Sequence, residues 1–473
     1  MKKTKIVSTL GPASNDVETI TKLAEAGANV FRFNFSHGDH EEHRARMNMV
    51  REVEKKTGKL LGIALDTKGA EIRTTEQEGG KFTINTGDTI RISMDDTKKG
   101  NKDMIHVTYD GLYDDTHVGG HVLIDDGLVD LLIKDKDDAK RELVCEAQNT
   151  GVIGSKKGVN APGVEIRLPG ITEKDTNDIK FGLKEGINFI FASFVRKAQD
   201  VLDIRQLLEE AHCEYVKIFP KIESQEGIDN IDEILKVSDG LMVARGDMGV
   251  EIPFINVPFV QKELIKRCNA LGKPVITATQ MLDSMQENPR PTRAEVSDVA
   301  NAVFDGTDAT MLSGESANGD YPVESVAMMN DIDIKAENHL WEFGTEKFDW
   351  DKSDVTETIG SAVANAAKDL DIHTIVAYTA SGYTAKMISK YRPNADIVAL
   401  TPNERVERGL MINWGVQPYV VDEMKNTDTM FDLAAKKAVE LGFAKKGDKI
   451  IIVAGVPLGV PGATNMMRVK TID

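Results

Sequence analysis

The sequence has few cysteines, no long apolar run and no excess of basic residues, and each absence excludes a class of protein. Three cysteines, Cys145, Cys213 and Cys268, lie far apart among 473 residues and are odd in number. This spacing argues against a disulfide framework and indicates a reducing compartment. The first residues contain no apolar segment of a signal peptide, and no run approaches membrane-spanning length. We therefore expect a cytoplasmic protein that does not bind membranes.

The charge balance is strongly acidic. The chain has 58 Lys and Arg against 76 Asp and Glu, which gives a net charge of −18 at pH 7. No basic stripe offsets this charge, so binding to bulk nucleic acid is not expected. A small anionic substrate is still possible, because it meets a local field rather than the net charge. The length is sufficient for two or three domains with sizeable cores.

Short apolar runs alternate with helical segments through most of the first 340 residues. Each run ends in turn or charged residues, which is typical of a strand that is buried on both faces of a parallel sheet. Eight such runs occur, each followed by a segment with helical periodicity. Eight repeats of strand and helix predict an α/β protein with a (β/α)8 barrel, the TIM-barrel architecture. We place this barrel in residues 1–69 and 168–340.

Two stretches depart from the strand–helix rhythm. Residues 70–167 contain short alternating strands, many glycines and aspartates, and almost no helical periodicity, which predicts an inserted all-β domain. A polar stretch from Ala336 to Asp354 is interpreted as a linker or a packing helix. Residues 346–473 again alternate strands and helices, which predicts a small, doubly wound C-terminal α/β domain. Its predicted strands are Thr374–Tyr378, Ile397–Leu400, Gln417–Val421 and Lys449–Val453.

Charged side chains follow the strand ends, where a (β/α)8 barrel keeps its chemistry. Glu223 and Asp247 come from successive strands, and together they suit Mg²⁺, which takes oxygen ligands and leaves positions for water and substrate. Lys221 lies two residues before Glu223, so both side chains point to the same side of an extended strand. An ammonium beside a metal stabilises a phosphoryl group or an enolate as it gains charge. Each residue alone could be structural, in an ion pair or a helix cap, but three after consecutive strands favour a site.

The second predicted strand alternates phenylalanines with polar residues. This period of two predicts a strand that presents a polar face, here toward the inside of the barrel near its rim. The polar residues are Arg32, Asn34 and Ser36, and other strand ends add Asp66, Thr67, Thr279 and Glu315 at the same rim. Three histidines that follow, His37, His40 and His43, stand among acidic residues, and we expect them on a solvated helix face.

A possible phosphate-binding turn lies in the C-terminal domain. Strand Thr374–Tyr378 leads into Thr379-Ala-Ser-Gly-Tyr-Thr384 and then a helix. Hydroxyls, a glycine and a helix N-terminus could cradle a phosphate, although the spacing is not that of a Walker loop. An ordinary capped turn is an equally good interpretation. A glycine-rich segment, Ala454–Gly462, follows the last predicted strand and could close over the same site.

Several separated motifs, in order along the chain, resemble those of the pyruvate kinase family. They are Lys5–Ser14, Arg32–Gly38, Leu65–Arg73, Gly154–Asn160, Lys221–Gly227, Ala244–Glu251, Ala278–Leu282 with Pro289–Glu295, and Met311–Ser316. The resemblance covers essentially the whole length and is far more specific than any single glycine pattern. The resemblance is to bacterial members of the family. We expect neither the N-terminal arm of the animal enzymes nor the extra C-terminal domain of some bacterial ones.

The resemblance implies the last step of glycolysis, in which phosphoenolpyruvate transfers its phosphoryl group to ADP and gives pyruvate and ATP. It makes Lys221, Arg32 and Thr279 catalytic, with Gly246 and Asp247 also binding the substrate. Glu223 and Asp247 would hold Mg²⁺ or Mn²⁺. The other implied groups are Asn34, Ser36, Asp66 and Thr67 for K⁺, Asn34, Arg73 and Lys157 for the nucleotide, and Thr379, Ser381, Gly382 and Thr384 for a sugar-phosphate effector. The inserted domain, a β-barrel in the family, would close as a lid, and a homotetramer is expected.

Individual positions refine these expectations. A glutamate at position 71 goes with K⁺ dependence in the family and a lysine with independence, so Glu71 predicts a K⁺-dependent enzyme. Ala70, Ala161 and Ser224 depart from the usual family residues, but none is a proposed ligand. The effector stays open among fructose 1,6-bisphosphate, ribose 5-phosphate, AMP and none.

Two other functions are considered. A Mg²⁺-dependent pyruvate or oxaloacetate lyase on the same barrel explains Glu223, Arg245 and Asp247, but not the insert or the C-terminal domain. A non-catalytic sugar-phosphate sensor has no need of Lys221, Glu223, Asp247 and Thr279 together.

Overall fold

Eight parallel strands close into a barrel in the computed structural model, which describes residues 1–343, 352–459, 462 and 464–473. Closure pairs the first strand with both the second and the last. The strands are Lys5–Thr9, Val30–Asn34, Gly62–Asp66, Phe189–Ala192, Lys217–Ile222, Leu241–Ala244, Val275–Ala278 and Ala309–Leu312. The predicted (β/α)8 barrel is confirmed.

Helices surround this barrel, and several begin at a side-chain cap. Asp16, Asp39, Thr172, Ser224 and Thr292 each accept a backbone N–H of the first turn, which satisfies a donor that the helix cannot. The α-helices are Val17–Ala26, His40–Thr57, Glu173–Lys184, Ala198–Glu210, Gln225–Asp229, Ile231–Val237, Arg245–Glu251, Val257–Ala270, Arg293–Asp305, Gly314–Ala317 and Pro322–Phe343. Short 3₁₀ turns lie at Pro12–Ser14, Phe254–Asn256 and Asp283–Gln286.

Two apolar layers position the rim of the barrel. A large core lies between the strands and the helices and includes Phe31, Phe33 and Phe35. The polar residues that alternate with them therefore face the inside of the barrel, as predicted. A second core fills the inside of the barrel, where the Phe189 and Phe219 rings meet edge to face at 5.9 Å. Because the interior is packed, polar chemistry is confined to the strand ends.

Short strands form the segment between the third and fourth barrel strands. They make a seven-stranded sheet and a two-stranded sheet around their own apolar core, with one helical turn at Leu112–Asp115. An antiparallel bridge between Thr74 and Val107 joins the two edges of the larger sheet. The strands are Ile72–Arg73, Lys81–Ile84, Thr89–Ser93, Met104–His106, His121–Ile124, Val129–Asp137, Glu142–Ala147, Gly151–Gly154 and Gly158–Asn160.

The C-terminal part is a five-stranded sheet with helices on it. Four strands are parallel and were predicted within a residue or so, at Thr374–Tyr378, Asp396–Thr401, Val416–Val420 and Lys449–Ala454. The fifth, Met466–Thr471, pairs antiparallel at one edge and was missed, because it is largely exposed and carries charges instead of an apolar run. The helices are Val355–Asp369, Tyr383–Lys390, Glu404–Gly409 and Thr427–Glu440.

The remaining local predictions have different outcomes. The expected solvated face is wrong for His43, which is 3% exposed and stacks on Phe35 with ring centroids 4.0 Å apart. The predicted linker begins inside the helix Pro322–Phe343, and its residues 344–351 lie outside the described residues. All three cysteines are free thiols. In the described ranges we find no helix long and apolar enough to cross a membrane.

Candidate functional site

Lys221 lies at the centre of a charged cluster at the carboxyl-terminal rim of the barrel. Its Nζ is 3.1 Å from Glu223 Oε1 and 3.3 Å from Asp66 Oδ1, and it donates to Ser193 Oγ at 2.9 Å. Burial alone would lower the pKa of Lys221, but the two carboxylates outweigh it and raise the pKa. The lysine therefore stays an ammonium, and the expected same-side placement of Lys221 and Glu223 is observed.

Arg32 and Asp66 form a buried ion pair beside this ammonium. Arg32 Nε contacts Asp66 Oδ2, and Arg32 Nη1 donates to Thr9 Oγ1 at 3.1 Å. Burial favours the neutral form of Asp66, yet Arg32 and Lys221 together lower its pKa. The Asp66 carboxylate thus holds both the Arg32 guanidinium and the Lys221 ammonium at the same part of the rim.

Ser193, which the sequence analysis did not single out, connects these groups. Its hydroxyl accepts from Lys221 Nζ and lies 2.6 Å from the Thr67 carbonyl oxygen and 3.2 Å from Asp66 Oδ1. It is 3% exposed and follows the strand Phe189–Ala192. Position alone was the available signal, because a serine one residue beyond a barrel strand falls on the rim.

Glu223 and Asp247 fit a divalent cation that takes few protein ligands. Burial raises the pKa of Glu223, Lys221 opposes this shift by favouring the carboxylate, and Asp247 adds to it. In the described ranges Glu223 Oε1 has Lys221 Nζ, at 3.1 Å, as its one ion-pair partner, and the Asp247 carboxylate has neither a hydrogen bond nor an ion pair there. Across those same ranges no cluster of three or more His, Cys, Asp or Glu could hold a metal. The donors therefore suit Mg²⁺, which completes its shell with water and substrate oxygens.

Thr279 and Gly246 meet beside Asp247. Gly246 N donates to Thr279 Oγ1 at 2.8 Å, and the Thr279 backbone has a φ of +70°. Such a conformation is unusual for a β-branched residue and marks a constrained position. Arg245 maintains it by donating from Nη2 to the Thr279 carbonyl at 2.7 Å, while its Nη1 pairs with Asp298 Oδ1 at 2.7 Å. Like Ser193, Arg245 therefore holds other rim residues in position.

The oxygens of the predicted K⁺ set come from two adjacent strands. Asn34 and Asp66 are direct partners in the barrel register, and Ser36 and Thr67 follow them. Asn34 Oδ1 accepts from Ser36 N at 3.1 Å. A carboxylate offers about four lone-pair directions, and the three cation and hydroxyl contacts of Asp66 leave capacity for a further cation. An all-oxygen set with one carboxylate fits K⁺.

Arg73 ends the strand Ile72–Arg73, and Lys157 directly precedes the neighbouring strand Gly158–Asn160 of the inserted sheet. Arg73 Nε is 2.7 Å from Glu71 Oε1, and Lys157 Nζ is 3.0 Å from Asp125 Oδ1. Neither residue makes a hydrogen bond or ion pair with the rim cluster in the part of the chain that is described. Arg73 and Lys157 therefore make no direct contact with the Lys221 cluster, whereas Asn34 lies beside Asp66 in the barrel register.

A cavity of about 530 Å³ separates the inserted sheets from the barrel rim. Its walls include Glu71 and Asn160 on one side and Glu223, Asp247 and Glu251 on the other. Asn160 Nδ2 donates to Glu251 Oε1 at 2.6 Å and ties the two sides together. A phosphorylated substrate can therefore reach the carboxylates from this cleft.

The predicted phosphate turn of the C-terminal domain is well ordered by its own hydrogen bonds. Thr379 Oγ1 accepts from Gly382 N at 2.9 Å, and Thr384 Oγ1 is 2.9 Å from Thr464 Oγ1. Ser381 is exposed, and Gly382 has a φ of +85°, which a side chain would strain. Within the glycine-rich segment Ala454–Gly462, residues 460 and 461 lie outside the described residues.

Glu315 does not join the site. Its carboxylate accepts from Leu282 N at 3.1 Å and Ser313 N at 2.8 Å, so it braces two rim loops. Glu315 therefore has a structural role at the rim.

Ala70 and Ser224 line the large cleft, and Ser224 also caps the helix that begins at Gln225.

Comparisons with known proteins match the whole chain. The family model "Pyruvate kinase, barrel domain" matches residues 1–326, and "Pyruvate kinase, alpha/beta domain" matches residues 357–470. A curated pyruvate kinase of Lactobacillus delbrueckii subsp. bulgaricus is 77% identical over all of this chain and 81% of its own length. One from Bacillus licheniformis is 56% identical, with the same 100% and 81% coverage. A solved pyruvate kinase of Cryptosporidium parvum aligns with a TM-score of 0.91 at 38% identity and covers 100% of this chain and 96% of its own.

These matches include both the barrel and the C-terminal sheet. The lyase alternative left the C-terminal domain and the inserted sheets without explanation, so the matches do not favour it.

Proposed function

The chain belongs to the pyruvate kinase family, and we propose that Lys221, Arg32 and Thr279 carry the phosphoryl transfer that this family catalyses. In that reaction phosphoenolpyruvate gives its phosphoryl group to ADP, and pyruvate and ATP are formed. The observation that carries the assignment is the buried Lys221 ammonium, held by two carboxylates and a serine hydroxyl at the rim.

Lys221 and Arg32 bind the transferring phosphoryl group. Both remain charged in a low-dielectric site, where fixed cations stabilise developing negative charge more than water does. Lys221 also stabilises the enolate oxygen that is left when the phosphoryl group departs. Asp66 orients both cations, and because it is held between them its charge does not repel the substrate.

The substrate carboxylate is received by the backbone amides of Gly246 and Asp247 and by the Thr279 hydroxyl. Gly246 N now donates to Thr279 Oγ1, and this bond is exchanged for bonds to the carboxylate when substrate binds. Arg245 keeps the Thr279 backbone in place during this exchange. The enolate carbon is thereby fixed relative to Lys221.

Two kinds of cation are part of the proposal. Glu223 and Asp247 would hold Mg²⁺ or Mn²⁺, which when bound offsets the charge of the phosphoryl and carboxylate oxygens. K⁺ would be held by Asn34, Ser36, Asp66 and the Thr67 carbonyl, as the resemblance to the family implies. At the position where a lysine goes with K⁺ independence in the family, this chain has Glu71, which pairs with Arg73 and lies 3.4 Å from Lys68.

The inserted sheets act as a lid, with boundaries at residues 70 and 167. Arg73 and Lys157, with Asn34, contact the nucleotide once the lid closes over the 530 Å³ cleft. Closure excludes water, so that ADP rather than solvent accepts the phosphoryl group. Asn160 and Glu251 already form one contact of the closed state.

The assembly and regulation are proposed from the family. The active form is a homotetramer in the cytoplasm, and a sugar phosphate activates it at the turn formed by Thr379, Ser381, Gly382 and Thr384. We place the end of the barrel near residue 340 and the start of the C-terminal domain near residue 346, which lies outside the described residues.

The test is ATP formation from phosphoenolpyruvate and ADP with Mg²⁺ and K⁺, followed by a coupled dehydrogenase that consumes pyruvate. Lys221→Ala should lower kcat by at least about a thousandfold, because fixed electrostatic contacts supply several kcal/mol to such transition states. The exposed Lys446→Ala serves as the control and should match the wild type. Thermal melting checks that Lys221→Ala is folded, and a folded variant with wild-type turnover would refute the role of Lys221.

A further inference from the structure

Two crossings of the chain join the inserted sheets to the barrel. The first runs from the third barrel strand, Gly62–Asp66, through Gly69 into the strand Ile72–Arg73. The second returns from the inserted sheets to the helix Glu173–Lys184, which Thr172 caps. Any movement of the inserted sheets over the cleft must be taken up in these two crossings, because they are the covalent connections between the two parts.

One buried carboxylate, that of Asp175, binds both crossings. Its Oδ1 accepts from Gly69 N at 3.1 Å, across 106 residues of sequence. Its Oδ2 accepts from Thr172 N at 3.0 Å and from Thr172 Oγ1 at 2.7 Å. Asp175 is fully buried, and a buried carboxylate is tolerated only when hydrogen bonds satisfy it. The two crossings supply these bonds, so Asp175 is their shared anchor.

A helix cap explains only half of this arrangement. Thr172 Oγ1 accepts from Asp175 N at 3.1 Å, and the bond from Thr172 N to Asp175 Oδ2 completes a capping box. A capping box uses one carboxylate oxygen and the residues of one helix start. The bond from Gly69 N to the other oxygen lies outside the box, and it brings the first crossing to the same side chain.

Gly69 is held from its other side by residues that contact the charged cluster. Its φ is +73°, and a Cβ placed on it would lie 2.7 Å from Phe194 Cδ2 and 2.9 Å from Ser193 Cβ. Ser193 accepts from Lys221 Nζ. Phe194 N donates to Glu223 Oε2. The chain at Gly69 therefore cannot shift toward the rim without moving Ser193 and Phe194, because the contact leaves no free space.

We propose that Asp175 is a positioning residue for the lid, and that it fixes the pivot about which the inserted sheets close. This inference rests on the proposed function of these sheets as a lid. Bending then occurs beyond Gly69 in the first crossing and before Thr172 in the second, so the rim keeps its geometry while the lid moves. Because one carboxylate joins the crossings, loosening one of them loosens the other.

Hydrogen exchange of the full chain tests the shared anchor without reference to catalysis. Thr172→Val removes the hydroxyl that donates to Asp175 Oδ2, and in the described ranges this hydroxyl makes no hydrogen bond with Gly69. If the anchor is shared, amide exchange on peptides spanning residues 67–72 should become about three- to tenfold faster in this variant. Asp175→Ala also removes the acceptor of the Gly69 amide, and exchange should become about ten- to a hundredfold faster. Unchanged exchange in Thr172→Val would overturn the proposal, and this variant also covers the case in which Asp175→Ala does not fold.

Steady-state kinetics test the consequence for the lid. A lid on a loose pivot is closed for less of the time, so the KM for ADP should rise about tenfold in Asp175→Ala and about threefold in Thr172→Val. The kcat and the KM for phosphoenolpyruvate should change less than about twofold, because saturating ADP restores closure and phosphoenolpyruvate binds to the barrel. Asp175→Asn, which still offers one acceptor oxygen, should have an intermediate KM for ADP.

Asp16→Ala is the matched control. Asp16 caps the helix Val17–Ala26 and accepts from Thr19 N at 2.8 Å and Thr19 Oγ1 at 2.7 Å, but within the described ranges it binds no second segment. Asp16→Ala should lower the melting temperature and leave the KM for ADP and the exchange of residues 67–72 at wild-type values. An equal rise of the KM for ADP in Asp16→Ala and Asp175→Ala would reduce Asp175 to a helix cap and overturn the proposal. Faster exchange in Asp175→Ala and Thr172→Val with a wild-type KM for ADP would confirm the shared anchor and refute instead the proposed closure over the nucleotide.

Discussion

Replacing Ser193 with alanine tests how the Lys221 ammonium is positioned. The change removes the hydroxyl that accepts from Lys221 Nζ at 2.9 Å and lies 2.6 Å from the Thr67 carbonyl. Lys221 keeps its contacts with Glu223 and Asp66 at 3.1 and 3.3 Å, so its charge remains while one of three restraints is lost. We therefore expect Ser193→Ala to loosen the ammonium without removing it.

The expected magnitudes follow from these contacts. A hydrogen bond to a charged group contributes about 1.5–3 kcal/mol, and if most of it is used to orient Lys221, kcat falls about ten- to a hundredfold. The KM for phosphoenolpyruvate should change less than threefold or so, since Arg32 and the charge of Lys221 still bind the phosphoryl group. Loss of the partner of the buried Thr67 carbonyl should also lower the free energy of unfolding by about 1–3 kcal/mol.

The assay compares steady-state kinetics and urea unfolding of Ser193→Ala with Ser325→Ala. Ser325 is also buried and donates to a carbonyl, that of Tyr321 at 2.7 Å, but it lies in the helix Pro322–Phe343, away from the rim. Ser325→Ala should lose stability and keep its kcat. Ser193→Cys, which retains a weak hydrogen-bonding group of similar size, should recover part of kcat. Equal kcat for both alanine variants, or a loss confined to KM, would refute the positioning role.

Three further changes have defined outcomes. Glu71→Lys should make kcat independent of K⁺, because a fixed ammonium replaces the mobile cation; turnover is measured with and without K⁺ in buffer free of other monovalent activators. Lys5→Met should flatten the rise of stability above pH 7. Burial lowers the pKa of Lys5 to about 7, so above that pH the unfolded chain holds a proton that the folded one lacks, and stability rises by up to ~1.4 kcal/mol per pH unit. Glu251→Ala breaks the bond from Asn160 and should raise the KM for ADP about three- to tenfold, because less of the lid is closed.

For each of these three predictions, one outcome would contradict the reasoning. Wild-type enzyme with the same kcat in the presence and absence of K⁺ contradicts the role given to Glu71. Parallel unfolding curves of Lys5→Met and wild type between pH 7 and 9 contradict a buried amine that loses its proton on folding. An unchanged KM for ADP in Glu251→Ala means that the Asn160 contact does not report lid closure.

Local patterns in the chain were sufficient for the barrel and for part of its site. Residues two apart share a side of a strand, which predicted that Lys221 and Glu223 meet, and their charged atoms are 3.1 Å apart. The same rule predicted the inward polar face that carries Arg32. His43 was misplaced, because its acidic neighbours in sequence do not reveal that Phe35 lies across from it. The edge strand Met466–Thr471 was missed, because an exposed strand lacks the apolar run by which strands are recognised.

The sequence by itself determined which segments form strands and helices, that eight of the strands face a common core, and which polar residues stand at their ends. Periodicity and turn chemistry act over a few residues, so they are legible in the chain. Only the tertiary structure decided that Asp66 holds both Arg32 and Lys221, that Ser193 joins them, and that Arg245 restrains Thr279. The pairs around Asp66 and Lys221 are separated by 28 to 155 residues in the sequence, and closure of the barrel brings them together. The electrostatic balance of the site depends on those distances, and no local pattern contains them.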